Sequence, residues 1–149
     1  MTWGRVATGL ERRGRPSYRR WMTSDIPTVV SKGSMSLSPG STPGIQRFTA
    51  FDDEGVWVGT AETRGGEASA WHVHPGHDTY VYVLSARIRI EHGPGGADAV
   101  EAVPGEFLKI PRGVVHREGN PSPDDGEVVV VRIGSGPLVE NVEGPEPPA

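Results

Sequence analysis

Residues 66–80 read GEASAWHVHPGHDTY and contain three of the five histidines in the chain. His72 and His74 are two positions apart, and side chains at positions i and i+2 of a β-strand project from the same face. The pair therefore has the spacing needed to bind one metal ion through two imidazoles. A Pro-Gly sequence after the pair predicts a turn, and His77 follows this turn directly.

The sequence on both sides of this stretch predicts an all-β protein. The 149 residues are about the length of one domain, and 21 glycines and 14 prolines argue against long helices. Short runs rich in β-branched and aromatic residues alternate with turn sequences, which is typical of a sandwich or a closed barrel. We predict strands at residues 45–51, 56–63, 68–74, 79–84, 87–91, 99–103, 107–110 and 127–133.

A second segment, GEFLKIPRGVVHREGN at residues 105–120, contains a fourth histidine, His116. A Pro-Arg-Gly turn precedes His116 and would set the direction of the short strand that follows it. His116 could therefore reach the same ion from a distant part of the chain. The remaining histidine, His92, lies in the turn sequence EHGPGG, and we interpret it as an exposed residue.

The two segments resemble the two signature motifs of the cupin superfamily. The first motif has a glycine, five intervening residues and an HxH pair, which Gly66, His72 and His74 match. The second motif has five fixed positions, and all of them are matched, by Gly105, Pro111, Gly113, His116 and Asn120. The run WHVHPGHDTYVYVLSARIRIE is similar to small single-domain bacterial cupins. The resemblance implies a jelly-roll β-barrel, a metal ion and a homodimer.

The chain departs from the first motif at the glutamate that follows the HxH pair. Depending on the count, the family glutamate would fall at Asp78 or at Thr79, and a hairpin similar to the family's favours Thr79. His77 shares the strand parity of Thr79, whereas Asp78 points the other way. We therefore predict one divalent transition metal ion (iron, zinc, manganese or nickel) bound by His72, His74, His77 and His116.

The interior of such a barrel would form the substrate pocket, since barrels of this size can hold one small ligand. Trp57 and Phe107 are candidates for its lining, although an aromatic residue on a strand more often belongs to the core. Arg47 could bind a substrate carboxylate, or it could face solvent. Tyr80 and Tyr82 share one face, and either could act as a catalytic proton donor.

Charge divides the chain unevenly. Residues 1–20 hold six arginines and one glutamate, whereas the rest holds nine basic and eighteen acidic side chains. We expect residues 1–21 to be a flexible basic leader, 22–143 the barrel domain and 144–149 a disordered tail. The acidic domain disfavours nucleic acid as a partner. No apolar run is long enough to span a membrane, so we expect a soluble, cytoplasmic protein.

Two functions remain open at this point. The first is a mononuclear metalloenzyme, acting as a dioxygenase or as a Lewis-acid isomerase, lyase or decarboxylase on a small oxygen-bearing molecule. The second is a non-catalytic cupin module that binds a small molecule for sensing or carriage. An enzyme needs an exchangeable position on the metal, whereas a closed site with four ligands favours binding or a structural role.

Overall fold

The fold is given by a computed structural model that describes residues 26–39 and 42–147. The predicted leader at 1–21 lies outside the described residues. In the described part, none of the helices is both long and apolar enough to cross a membrane.

The described residues form short strands and two single turns of 3₁₀ helix, at Lys32–Ser34 and Pro94–Gly96. The strands at 56–63 and 107–110 have the predicted bounds, and the short strands at 36–37, 117–119 and 140–141 were not predicted. The strands are β1 (Ser36–Leu37), β2 (Gln46–Asp53), β3 (Val56–Thr63), β4 (His72–Val73), β5 (His77–Ser85), β6 (Ile88–His92), β7 (Asp98–Ala102), β8 (Phe107–Ile110), β9 (Arg117–Gly119), β10 (Gly126–Gly134) and β11 (Glu140–Asn141).

The strands form two antiparallel layers. One layer is a six-stranded sheet in the order β1-β2-β3-β10-β5-β8. The other combines β7-β6-β9 with the pair β11-β4, and single bridges from Ala68 to Gly119 and from His72 to His116 connect the two parts. The predicted all-β jelly-roll class is confirmed.

Alternation along the strands decides which side chains enter the interior. In β5 the odd-numbered residues from His77 to Val83 are buried, and in β10 the even-numbered Val128, Val130 and Arg132 are buried. Both layers contribute apolar side chains to one core, including Val83 from the large sheet and Ile90 from the small one. The even-numbered residues of β5 therefore lie on the outside.

Gly59 lies in β3 on the inner face, directly beneath the ring of Trp57. A Cβ atom at this position would overlap the carbonyl oxygen of Phe48 and lie 2.6 Å from Cη2 of Trp57. We expect Gly59→Ala to lower the free energy of unfolding by about 1–3 kcal/mol, because overpacking forces the ring and the strand apart. Urea denaturation measures this loss, with Gly33→Ala as the control because nothing lies within 4 Å of its Cβ. Equal stability of the two variants would contradict the packing described here.

The tail predicted at 144–149 contacts the domain over its described part. The carbonyl oxygen of Glu146 accepts a hydrogen bond of 2.8 Å from the backbone N–H of Gly95. A Cβ atom added at Gly144 would lie 3.5 Å from Cδ1 of Trp71, so this residue lies beside the indole ring. At these two points the described part of the tail contacts the domain, and 148–149 lie outside the described residues. The disorder expected for 144–149 stays a prediction.

Candidate metal centre

Four buried side chains converge in the barrel interior. They are His72, His74, His116 and Glu118, and one potential ligand atom from each lies within 4.8 Å of the others. All three imidazoles are at most 1 % exposed. Buried polar groups of this kind need a partner, because burial without one costs free energy.

Backbone pairing brings the histidines together although they are far apart in sequence. His72 and His116 are directly opposite each other, and each backbone N–H donates to the other's carbonyl oxygen at 2.9 Å. Their ring centroids are 4.3 Å apart. His74 follows on the same face of the strand, and its ring centroid lies 5.1 Å from each of the other two.

The three imidazoles are oriented in the same way by backbone carbonyl oxygens. The Nδ1 atoms of His72, His74 and His116 lie 3.0, 2.5 and 2.8 Å from the carbonyl oxygens of residues 70, 138 and 114. A carbonyl oxygen can only accept, so Nδ1 carries the proton in each ring. Within the described ranges the three Nε2 atoms have no hydrogen-bond partner, and their lone pairs point into the cluster. This tautomer and orientation are those of metal-binding histidines.

Glu118 adds a carboxylate to the cluster. Its Oε1 atom lies 3.4 Å from Nε2 of His72 and 3.7 Å from Nε2 of His116. Burial by itself would raise the pKa of Glu118, but the charge of Arg47 leads the interactions that outweigh burial and hold this pKa well below its ordinary value. Three neutral imidazoles and one carboxylate are a donor set that suits a first-row divalent metal.

The protonation of His74 is consistent with this assignment. Burial, followed by the nearby positive charge of Arg132, lowers the pKa of His74 to about 2. The imidazole is therefore neutral at physiological pH, which is the state that a metal requires.

Arg47 enters the interior and contacts a carboxylate of the protein itself. Its Nη2 atom lies 3.4 Å from Oε1 of Glu118, and both side chains are buried. The sequence left open whether Arg47 binds a substrate carboxylate or faces solvent. In the structure it faces the interior and contacts Glu118, and a role in substrate binding stays a prediction.

His77, which we expected as the fourth ligand, is not among the four clustered side chains. It is buried at the start of β5, whereas Glu118 enters the cluster from β9. Thr79 faces inward as expected, and Asp78 faces outward, where it accepts hydrogen bonds from Arg112. The carboxylate in the cluster thus belongs to a residue two positions after His116, and not to the segment that follows the HxH pair.

The other predicted site residues divide between the inside and the outside of the barrel. Trp57 is buried on the inner face of β3. Tyr80 and Tyr82 occupy even positions of β5 and project outward, and Phe107 is 80 % exposed against the ring of Tyr82. Tyr80 and Tyr82 face away from the cluster because the alternation that buries Thr79 and Val81 turns them outward. Phe107 of β8 is opposite Tyr82 in the register and lies on the same outer face.

Glu118 was missed by the sequence analysis although a signal was present. His116 and Glu118 are two positions apart in HREG, the same spacing as the HxH pair. Strand parity therefore predicts that both face the same side. Residues 117–119 lie outside the predicted strands, so the parity argument was applied only to the histidines.

The comparison with protein families agrees with the fold and with both motifs. The family model described as Cupin domain matches residues 59–132, which include all four clustered residues. The chain belongs to the cupin superfamily. No curated protein matches this cupin significantly.

Several solved structures share the cupin fold of this chain. An uncharacterised protein with a double-stranded β-helix domain from Klebsiella pneumoniae is 19% identical, with a TM-score of 0.62 over 79% of this chain and 99% of its own. The polyketide cyclase RemF from Streptomyces resistomycificus is 21% identical, with a TM-score of 0.63 over 78% and 86%. A predicted oxalate decarboxylase from Thermotoga maritima is 17% identical, with a TM-score of 0.61 over 72% and 100%.

A surface groove of about 620 Å³ lies away from the cluster. Lys32, Glu62, Arg64, Asp125 and Glu127 are among its lining residues, and none of the four clustered residues belongs to it. Among the described residues, the group of side chains close enough together to bind one metal ion lies in the barrel interior, and we assign the candidate site there.

Proposed function

We propose that this cupin is a mononuclear metalloenzyme that acts on a small oxygen-bearing molecule inside the barrel. The observation that carries the proposal is the set of three Nε2 atoms, which are buried, unpartnered and directed at one point. A core without a ligand would not leave three such acceptors unsatisfied together.

His72, His74, His116 and Glu118 would hold the ion. A bound divalent transition metal supplies Lewis acidity toward an oxygen-bearing group or, in the case of iron, chemistry with dioxygen. The protein's own contribution is orientation: backbone carbonyls hold the three rings, Arg47 holds the carboxylate, and the apolar core excludes water.

The alternative function is a non-catalytic metal-dependent binding module. The deep burial of all four donors favours it, since a tetrahedral ion with four protein ligands has no open position. Ions that take five or six ligands, such as iron and manganese, would keep open coordination positions for a substrate even when all four protein donors are bound. The identity and coordination number of the ion therefore distinguish the two functions.

Elemental mass spectrometry of the tag-free purified protein tests the proposal. We expect about one equivalent of a divalent transition metal per chain, either as purified or after reconstitution, because the cluster forms one site. Iron would be followed by oxygen-uptake assays with thiols, diketones and phenolics. Zinc, nickel or manganese would be followed by assays of isomerase, lyase and decarboxylase chemistry. Protein that carries no metal and takes none up would overturn the proposal.

The first compounds to assay follow from two structural neighbours. These proteins are described as a polyketide cyclase and a predicted oxalate decarboxylase. Their names motivate carbonyl compounds and small carboxylates as starting substrates, alongside the oxygen-uptake panel.

A further inference from the structure

The buried charges in the barrel interior do not balance. Apart from histidines, the buried ionisable side chains of the described residues are Arg47, Arg132 and Glu118. Arg47 pairs with Glu118, but within the described ranges no carboxylate forms an ion pair with Arg132. A buried cation without a partner is costly, and with neutral imidazoles the interior retains one excess positive charge.

Arg132 lies on the inner face of the large sheet, and its side chain is buried in the barrel interior. In the register of the large sheet it is opposite Trp57 of β3 and Thr79 of β5. Its guanidinium carbon lies 5.1 Å from the centroid of the Trp57 ring, a cation–π contact that holds the side chain in place. Its charge contributes to the lowered pKa of His74 and, after burial, to that of His77, so both histidines lie within its field.

Several buried hydrogen-bond donors in the same interior have no partner among the described residues. Nε of Arg132 and Oγ1 of Thr79 are buried and have no partner. Nε and Nη1 of Arg47 are also buried without a partner, beyond the Nη2 contact with Glu118. Leaving buried donors unsatisfied costs free energy, so several unpartnered donors in the same interior indicate a ligand that accepts hydrogen bonds from them.

The pKa of Arg132 is consistent with this environment. Burial, and then the positive charge of Arg47, lower it to about 10. The guanidinium therefore remains charged at neutral pH, and the negative charge of Glu118 offsets the repulsion between the two arginines only in part.

We propose that Arg132 and Thr79 form the binding site for a carboxylate group of the substrate, beside the cluster of three histidines and Glu118. The planar guanidinium can donate two parallel hydrogen bonds to a carboxylate, the threonine hydroxyl can donate a third, and one carboxylate balances the excess charge. The proposal rests on the proposed function, in which the neighbouring cluster binds a metal ion that acts on the substrate. It goes further by naming small carboxylic acids as the substrate class.

Isothermal titration calorimetry with malonate tests the proposal on both the metal-free and the metal-loaded protein. We expect malonate to bind both forms, and the neutral isostere malonamide to bind neither at the same concentration. Arg132→Lys should weaken malonate binding by about tenfold or more, because it removes the planar fork. Thr79→Val should weaken it by about fivefold, because it removes one donor at nearly constant volume.

The matched control is Arg87→Lys, the same change at an exposed arginine that pairs with Glu101. It should leave malonate affinity unchanged. Wild-type protein that binds metal but shows no malonate binding would overturn the carboxylate site alone. Malonate binding by a protein that takes up no metal would overturn the proposed function and leave the carboxylate site intact. Equal affinity of the wild type, Arg132→Lys and Thr79→Val would place the malonate elsewhere and overturn the assignment.

Discussion

Glu118→Gln should lower the affinity for a divalent transition metal by about 100-fold or more. The amide keeps the size of the side chain but removes the only anionic donor of the cluster. Loss of even an outer-shell partner typically costs 10–100-fold in metal affinity, so loss of the carboxylate itself should exceed this range. Competition with a chelator of known affinity, followed by elemental analysis, measures the change.

Two further variants make this experiment decisive. Glu101→Gln is the matched control, since its carboxylate pairs with Arg87 and Arg89 on the surface and should not influence metal affinity. His77→Gln distinguishes the structure from the expectation based on sequence. If His77→Gln abolishes metal binding while Glu118→Gln retains it, the fourth ligand is the histidine, and the cluster described here is wrong.

Arg47→Met should be the most destabilising of the proposed variants when the protein is metal-free. The methionine replaces the buried stem but leaves the buried carboxylate of Glu118 without its cation. Removing one partner of a buried pair costs about 3–5 kcal/mol, because the remaining charge is uncompensated. Urea denaturation in the presence of a chelator measures the loss. A bound metal ion should reduce it, since the ion provides the missing positive charge.

The double variant Arg47→Met/Glu118→Gln identifies the cause of that loss. Removing both charges should restore part of the stability lost in Arg47→Met, because no buried carboxylate is left unpaired. Arg89→Met is the surface control and should cost far less, since its partners Glu91 and Glu101 are accessible to water. A double variant less stable than Arg47→Met would show that the arginine contributes through packing rather than through charge.

Strand parity accounts for both the correct and the incorrect parts of the sequence analysis. The HxH spacing correctly placed His72 and His74 on one face, and the second motif brought His116 to them. The same parity also assigns Tyr80 and Tyr82 to the face opposite Thr79. The sequence could not show which of these faces was the inner one, because local alternation defines two faces and only packing assigns one to the core.

The all-β class, the short strands and the shared face of His72 and His74 follow from the sequence by itself. Turn residues, alternation and motif spacing are local properties, and they suffice for these conclusions. Only the tertiary structure decided that Glu118 completes the cluster, that Arg47 supports it and that Arg132 remains without a carboxylate. These residues lie on strands β9, β2 and β10, and their contacts depend on how the two layers pack across the interior. Contacts between segments so distant in sequence depend on this packing, which no local pattern encodes.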